Sequence, residues 1–303
     1  MNWMPLVTFG AYAGLSLLSL LLWWVIYDLV LTPGIPVREA IFGRQPNPAV
    51  ALDVFGGFLA LGLLNASVIG APPLQTFALD LEATALTLGG SIALLALLRL
   101  ATGGFLRLWF GQRRDAHGQL VTFNNELFRQ RNLATGLFST ALYLILVAGL
   151  VEEDLLNIDG YRVAATFNML GVWLLGAALV VLHSWLFLGI GTRHHILHES
   201  FHQNHPAAPT SLLGLVAGTL LLNHALLAEL AWDQHMFTQP WLWAFLLLAL
   251  VFVVVVRGVL YVAFRLTLGV DIRAELVRAN AAWGIIDGGL IFTLLLIQTA
   301  LLG

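Results

Sequence analysis

The chain contains no cysteine and no lysine, and only 10% of its 303 residues are charged. Without cysteine, neither a disulfide nor a thiolate metal site can form. All 14 cationic residues are arginine. A soluble domain averages about 25% charged residues. The scarcity of charge, the 59% hydrophobic content and the mean hydropathy of +0.87 together describe an integral membrane protein. A net charge of −3 argues against a nucleic-acid partner. A Walker loop, a nucleophile elbow and a dinucleotide fingerprint are also missing, which leaves no motif-borne enzyme chemistry. The opening MNWMPLVTFGAYAG has no basic n-region and runs into a long apolar stretch, so it reads as a retained transmembrane helix rather than a cleaved signal.

A bilayer-spanning helix needs about 20 mostly apolar residues. Eight such stretches are present, at 8–31, 49–70, 77–100, 133–151, 162–190, 210–231, 239–264 and 281–302. The longest polar stretch is Thr102–Arg131. Eleven arginines, among them Arg38, Arg44, Arg107, Arg129, Arg131 and Arg278, follow the odd-numbered stretches. The other connections carry Asp80, Glu82, Glu152, Glu153, Asp154 and Asp159, with Arg162 as their only cation. The positive-inside rule then places both termini outside and the arginine-rich loops in the cytoplasm. The expected location is a bacterial inner membrane, with multiple passes.

An internal repeat organises the chain. DIRAELVRANAAWGIIDGG (Asp271–Gly289) combines an acidic residue, an Asn-Ala step and an apolar helix. Looser copies pair Glu39 with Asn47, Glu126 with Asn132 and Glu199 with Asn204, as Glu275 pairs with Asn280. RLATGGFLRLWFG (Arg99–Gly111) also resembles RGVLYVAFRLTLG (Arg257–Gly269), with Arg at the first and ninth positions of both. The expected fold is therefore all-α, with eight transmembrane helices in two pseudo-symmetric four-helix repeats. The repeats span 1–151 and 162–303, joined by an acidic extracytoplasmic linker at 152–161.

YDLVLTPG (Tyr27–Gly34), then Glu39, then NPAVALDVFGG (Asn47–Gly57), resembles the bacterial membrane protein family catalogued as domain of unknown function 350. ANAAWGIIDGG near the C-terminus is similar. The resemblance implies a unit of about four helices, here twice in tandem, and implies no activity.

Four groups of residues are candidates for chemistry. Asn is a favoured N-cap and Pro48 a favoured first helical residue, so the repeated Asn and Glu read as caps with interfacial ion pairs, such as Glu275 with Arg278. Their alternative role is to line a cytoplasmic vestibule. Asp53 and Asp287 lie six and seven residues past their Asn, roughly 9–11 Å into a helix. Arg99 and Arg257 precede Arg107 and Arg265 by eight residues, about 12 Å along a helix. Charge in hydrocarbon costs at least a few kcal/mol, so these four groups are expected to face the bundle and pair. Such pairs either fix helix packing or handle an ion or protons. The third group is RHHILHESFHQNH, where His194, His195, His198 and His202 have spacing that suits zinc. It reads either as a polar interfacial segment or as a divalent-metal or pH-sensing site; no other cofactor is expected. Fourth, Gly56, Gly57 and Gly288 read as helix contacts, and Trp23, Trp24, Trp109 and Trp243 as interface anchors.

Three functions follow. One is a transporter or channel for a small ion or protons that uses the buried Asp and Arg. Another is a non-transporting scaffold that docks a cytoplasmic protein on the repeated Glu and Asn segments and on Thr102–Arg131, with an apolar patch at Phe105, Leu108, Trp109 and Phe110. The third is a histidine-centred metal enzyme. Beyond the lipid bilayer, a homodimeric partner is compatible with a family unit of four helices.

Overall fold

The computed structural model describes residues 4–70, 76–111, 113–114, 118–150, 201, 204–230, 240–271, 274–275, 278 and 280–300. Helix α1 (Met4–Ile26) closes in a π-helical turn, Tyr27–Leu31. A short helix α2 (Val37–Phe42) leads into α3 (Pro48–Gly70). The long α4 (Phe77–Phe110) is followed by a second π-helical turn, Asn125–Arg129, and by α5 (Leu133–Leu150). The second half contributes α6 (Ala207–Leu230), α7 (Pro240–Leu268) and α8 (Ala281–Ala300).

Among the described residues, five helical stretches are long and apolar enough to cross a membrane: Val7–Leu31, Pro48–Ala66, Phe77–Phe110, Val251–Leu268 and Ala281–Ala300. The expected stretch 162–190 and the linker 152–161 lie outside the described residues. Large apolar side chains cover the outer surface, including Leu97, Leu247, Val259 and Ile285. A water-soluble chain does not expose that much contiguous apolar area, whereas a bilayer solvates it.

The stretch Thr102–Arg131, expected to be a polar loop, is largely helical. Helix α4 continues ten residues past the expected end at 100, through Gly103 and Gly104. Each Gly costs about 1 kcal/mol relative to Ala in a helix interior. Burial of Leu106 and Phe110 on the extension offsets that cost. The helix stops at Gly111, whose φ of 57° suits glycine, and the Gly111 N–H donates to the Arg107 carbonyl at 3.0 Å.

Two close helix pairs form the centre. Helix α3 packs on α5, α6 packs on α8, and α5 packs on α6 to join the halves. Small residues permit the approach. A Cβ on Gly136 of α5 would lie 2.5 Å from the Ala49 carbonyl oxygen of α3. A Cβ on Gly284 of α8 would lie 2.5 Å from the Ala207 carbonyl oxygen of α6. The same contact therefore recurs in both pairs, each time four residues after an Asn (Asn132 and Asn280). Of the glycines expected at helix contacts, Gly56 abuts Thr140 and Gly288 abuts Thr210 and Ser211; Gly89, Gly90 and Gly289 face open space.

Trp23, expected at the membrane interface, is fully buried instead. It packs edge-on against Tyr27 and Tyr143, at centroid distances of 6.0 and 5.7 Å, and a Cβ on Gly57 would strike its indole. Hydropathy places a tryptophan along a helix but not around it, and only the glycine of α3 makes room for this ring in the core.

A buried ion pair in each half and a cleft at the arginine-rich end

Asp53 on α3 has no exposed surface, and both of its oxygens are bonded. Oδ2 accepts from Arg99 Nε at 3.1 Å and from the Tyr27 hydroxyl at 2.6 Å, while Oδ1 accepts from the Tyr143 hydroxyl at 3.0 Å. Four elements thus converge on one carboxylate: α3, α4, the π turn after α1, and α5. Arg99 itself is 4% exposed. Its guanidinium carbon sits 3.4 Å from the centroid of the Phe123 ring, and its Nη2 donates to Asn124 Oδ1 at 3.1 Å. Stacking and hydrogen bonds replace the solvation that burial removes.

Asp287 on α8 is equally buried. Arg257 of α7 holds it with two nitrogens, Nε at 2.7 Å from Oδ1 and Nη2 on Oδ2. The hydroxyls of Tyr261 and Ser211 donate to the same carboxylate. The expectation that the four groups pair is met, and each pair forms within its own half. The two sites are not copies. In the first half the carboxylate stands on the helix after Asn47; in the second it stands on the helix after Asn280, the later helix of its pair.

The tyrosines and Ser211 were not expected at these sites. Tyr261 was legible, because it follows Arg257 by four residues and so lies on the same helical face. Tyr27, Tyr143 and Ser211 come from other helices, and no sequence spacing carries them there.

A polar row continues from Asp53 along α1. Ser19, Trp23 and Tyr27 are spaced by four and share one face. The Asn65 amide on α3 donates to Ser19 Oγ at 3.1 Å. Trp23 Nε1 and Asn65 Oδ1 are buried without a hydrogen-bond partner among the described residues. Each such group costs about 1–3 kcal/mol.

The repeated Asn and Glu behave differently from one another. Asn47 caps α3, its Oδ1 accepting from the Ala49 and Val50 N–H groups at 3.0 and 3.4 Å. Its Nδ2 donates across to the Leu127 carbonyl at 2.9 Å. Asn132 caps α5 through the Thr135 N–H at 3.2 Å and donates to Glu126 Oε2 at 3.0 Å. Asn280 makes the equivalent bond to Glu275 Oε2 at 3.0 Å, and Glu275 also pairs with Arg278 at 2.8 Å. Asn204 departs from the pattern. It is exposed at a φ of 55°, and α6 begins beyond it, with the Thr210 N–H bonded to the Pro206 carbonyl. Pro206 displaces the helix start, so the cap expected at Asn204 does not form. Glu199, His194, His195, His198 and His202 lie outside the described residues.

Asn47→Ala removes a cap and also leaves the Leu127 carbonyl without its donor. A cap contributes about 0.5–2 kcal/mol, and a buried acceptor left unpaired costs about 1–3 kcal/mol. A loss of roughly 2–4 kcal/mol is expected in reversible unfolding of the detergent-solubilised protein. A loss no larger than that of Asn204→Ala would show that the cross-link to Leu127 contributes nothing.

At the arginine-rich end, a cleft of about 870 Å³ opens between α2 and the second π turn. Glu39, Arg44, Asn124, Arg129 and Arg131 are among its lining residues. Asn124 is thus shared: the residue lines the cleft, and its Oδ1 accepts from Arg99.

Apolar spans carrying a paired charge at their core define a polytopic α-helical membrane protein. The chain belongs to the family described as Domain of Unknown Function (DUF350), whose model matches residues 1–153. No curated protein and no solved structure matches the chain.

Proposed function

We propose that the protein moves protons or a small ion across a bacterial inner membrane, through the first half of the chain. The observation that carries this reading is the bonded series from Asn124 at the cleft to Arg99, Asp53 and the tyrosines, with Trp23, Ser19 and Asn65 further along the same face of α1 and on α3. A buried carboxylate in a membrane helix is costly to keep, and its connection to a polar cleft gives it a use beyond packing. With both oxygens of Asp53 occupied, the geometry is that of a closed state. Opening requires Arg99 to release Asp53 while it keeps its bond to Asn124 at the edge of the cleft. On this reading the chain holds eight spans as two four-helix units with both termini outside, and the recurrent Gly136 and Gly284 contacts support the duplication.

The test is flux in sealed proteoliposomes, with protons, potassium, sodium and chloride offered in turn. Wild type is expected to conduct one of them, and Asp53→Asn to reduce that flux at least about tenfold, because the Asp53 carboxylate supplies the negative charge that faces Arg99 inside the bundle. Equal flux in wild type and Asp53→Asn, or no flux of any of the four, would sink the proposal and leave the pairs structural.

A second reading is a scaffold for a cytoplasmic partner. The exposed Leu108, Trp109 and Phe105, at 85, 53 and 49% exposure, favour it. Phe110, expected in that patch, is buried against Phe201 instead. A soluble protein that co-purifies with wild type and is lost on Leu108→Glu would favour this reading over transport.

A further inference from the structure

We propose that the cleft between α2 and the second π turn is a binding site for a phosphate group, held by Arg44, Arg129 and Arg131. These three arginines line one cavity, and Glu39 is the single acidic residue among its described lining residues. None of the four takes part in an ion pair of 4.0 Å or less among the described residues; the pairs there are Arg99–Asp53, Arg257–Asp287, Arg265–Asp271 and Arg278–Glu275. Among the described residues, the only side-chain partner of Arg131 is the Gln45 amide oxygen, at 3.4 Å. Like charges gathered in a cleft repel, and an anion with several oxygens relieves that repulsion. Guanidinium forks match phosphate oxygens two at a time.

The backbone gives a second indication. Arg131 holds a left-handed φ of 53°, a conformation that costs a side chain of this size free energy and that collects at ligand-binding positions. It is fixed there by its neighbour, because Asn132 is tied to Glu126 through both backbone and side chain. The amide side chains of Asn124 and Asn125 add neutral polar groups to the wall, and Ile35 and Phe128 add an apolar part. The volume of about 870 Å³ falls within the range of small-molecule sites, about 300–1,000 Å³.

A phosphate could come from two sources. One is the headgroup of an anionic lipid, since arginine-rich helix ends attract such headgroups; the other is free phosphate or a small phosphate ester in the aqueous phase. Binding from either source does not require that the protein transport anything, so the proposal stands apart from the flux measurement. It does bear on the buried pair, because Asn124 touches both the cleft and Arg99.

The test uses the full chain, purified in a neutral maltoside detergent. Inorganic phosphate is titrated by calorimetry, and phosphatidylglycerol and phosphatidylcholine are added separately and counted by native mass spectrometry. Wild type is expected to bind inorganic phosphate, or to retain phosphatidylglycerol in preference to phosphatidylcholine. Phosphate binding would assign the aqueous source, and retention of phosphatidylglycerol alone the lipid source. In the R44Q/R129Q/R131Q variant the bound probe should weaken at least about tenfold, as expected when charge-assisted bonds are removed. Arg113→Gln, outside the cleft, should leave binding unchanged. The single variants Arg44→Gln and Arg129→Gln, each of an exposed side chain, serve if the triple variant does not fold. Two results would overturn the assignment: no binding of either probe by wild type, or binding by the cleft variants equal to wild type.

Discussion

Arg257→Met should unfold at a much lower temperature than wild type, with a loss of roughly 3–5 kcal/mol. Arg257 is 1% exposed and, among the described residues, is the only cation on Asp287. Removing it leaves a carboxylate with no exposed surface, supported only by two hydroxyls, on a helix that packs against α6. Most of the loss comes from stranding the charge, not from the attraction forgone. The double variant Arg257→Met with Asp287→Leu should therefore recover most of the stability, because replacing both members of a buried pair by apolar groups is often neutral. The same logic applies to Arg99 with Asp53, with one difference. There, removal of Arg99 also frees Asn124 and the Phe123 ring, so recovery in the double variant should be less complete. The check is reversible unfolding of wild type, the two single variants and the two double variants under one detergent condition. If the double variant were as unstable as the single one, the charge pair would be contributing more than it costs to bury, and the penalty argument would fail.

Gly214→Val carries the second large expected effect. A Cβ at Gly214 would lie 2.0 Å from the Gly288 carbonyl oxygen and 2.3 Å from its carbon, both backbone atoms. Ordinary contact needs 3.4 Å or more, so even an alanine forces α6 and α8 apart by over an ångström. Overpacking of this kind costs about 1–3 kcal/mol, and the two extra methyls of valine raise the figure. The separation also moves Ser211 away from Asp287, since Ser211 stands one turn before Gly214 on the face that meets α8. Loss of stability should therefore come with altered behaviour of the buried pair. Gly89→Val is the control, because a Cβ there meets nothing within 4 Å. Equal stability of the two valine variants would mean that α6 and α8 do not sit this close in the membrane.

The two effects have one origin. Lipid offers apolar helices no reason to associate, so membrane helices are held by close backbone approach and by polar contacts. Gly214, Gly284, Gly288 and Gly136 supply the first, and the two Asp–Arg pairs supply the second. Helix α5 lies in contact with both α3 and α6, so it joins the halves. The buried Phe201 reinforces that junction, with its ring 5.2 Å from that of Phe138 and 5.8 Å from that of Phe123. Phe123 in turn stacks on Arg99. A shift at the junction is therefore felt at the ion pair of the first half.

Composition alone determined that this is a membrane protein, since scarce charge and long apolar runs leave the helices no other solvent. It also determined where α3 and α5 begin, because Asn47, Pro48 and Asn132 act locally at those helix starts. The need of Asp53, Asp287, Arg99 and Arg257 for partners was legible too, as hydrocarbon leaves buried charge no alternative. Which partner each found was a matter for the tertiary structure. Helix periodicity fixes neighbours at three and four residues and says nothing about which face a second helix presents. So Tyr261 could be read from Arg257, whereas Tyr27, Tyr143 and Ser211 could not. Pro206 overrode the cap expected at Asn204, and Gly57 drew Trp23 into the core. The cleft that gathers Arg44, Arg129 and Arg131 combines segments more than 80 residues apart, and only the packing of α2 against the second π turn assembles it.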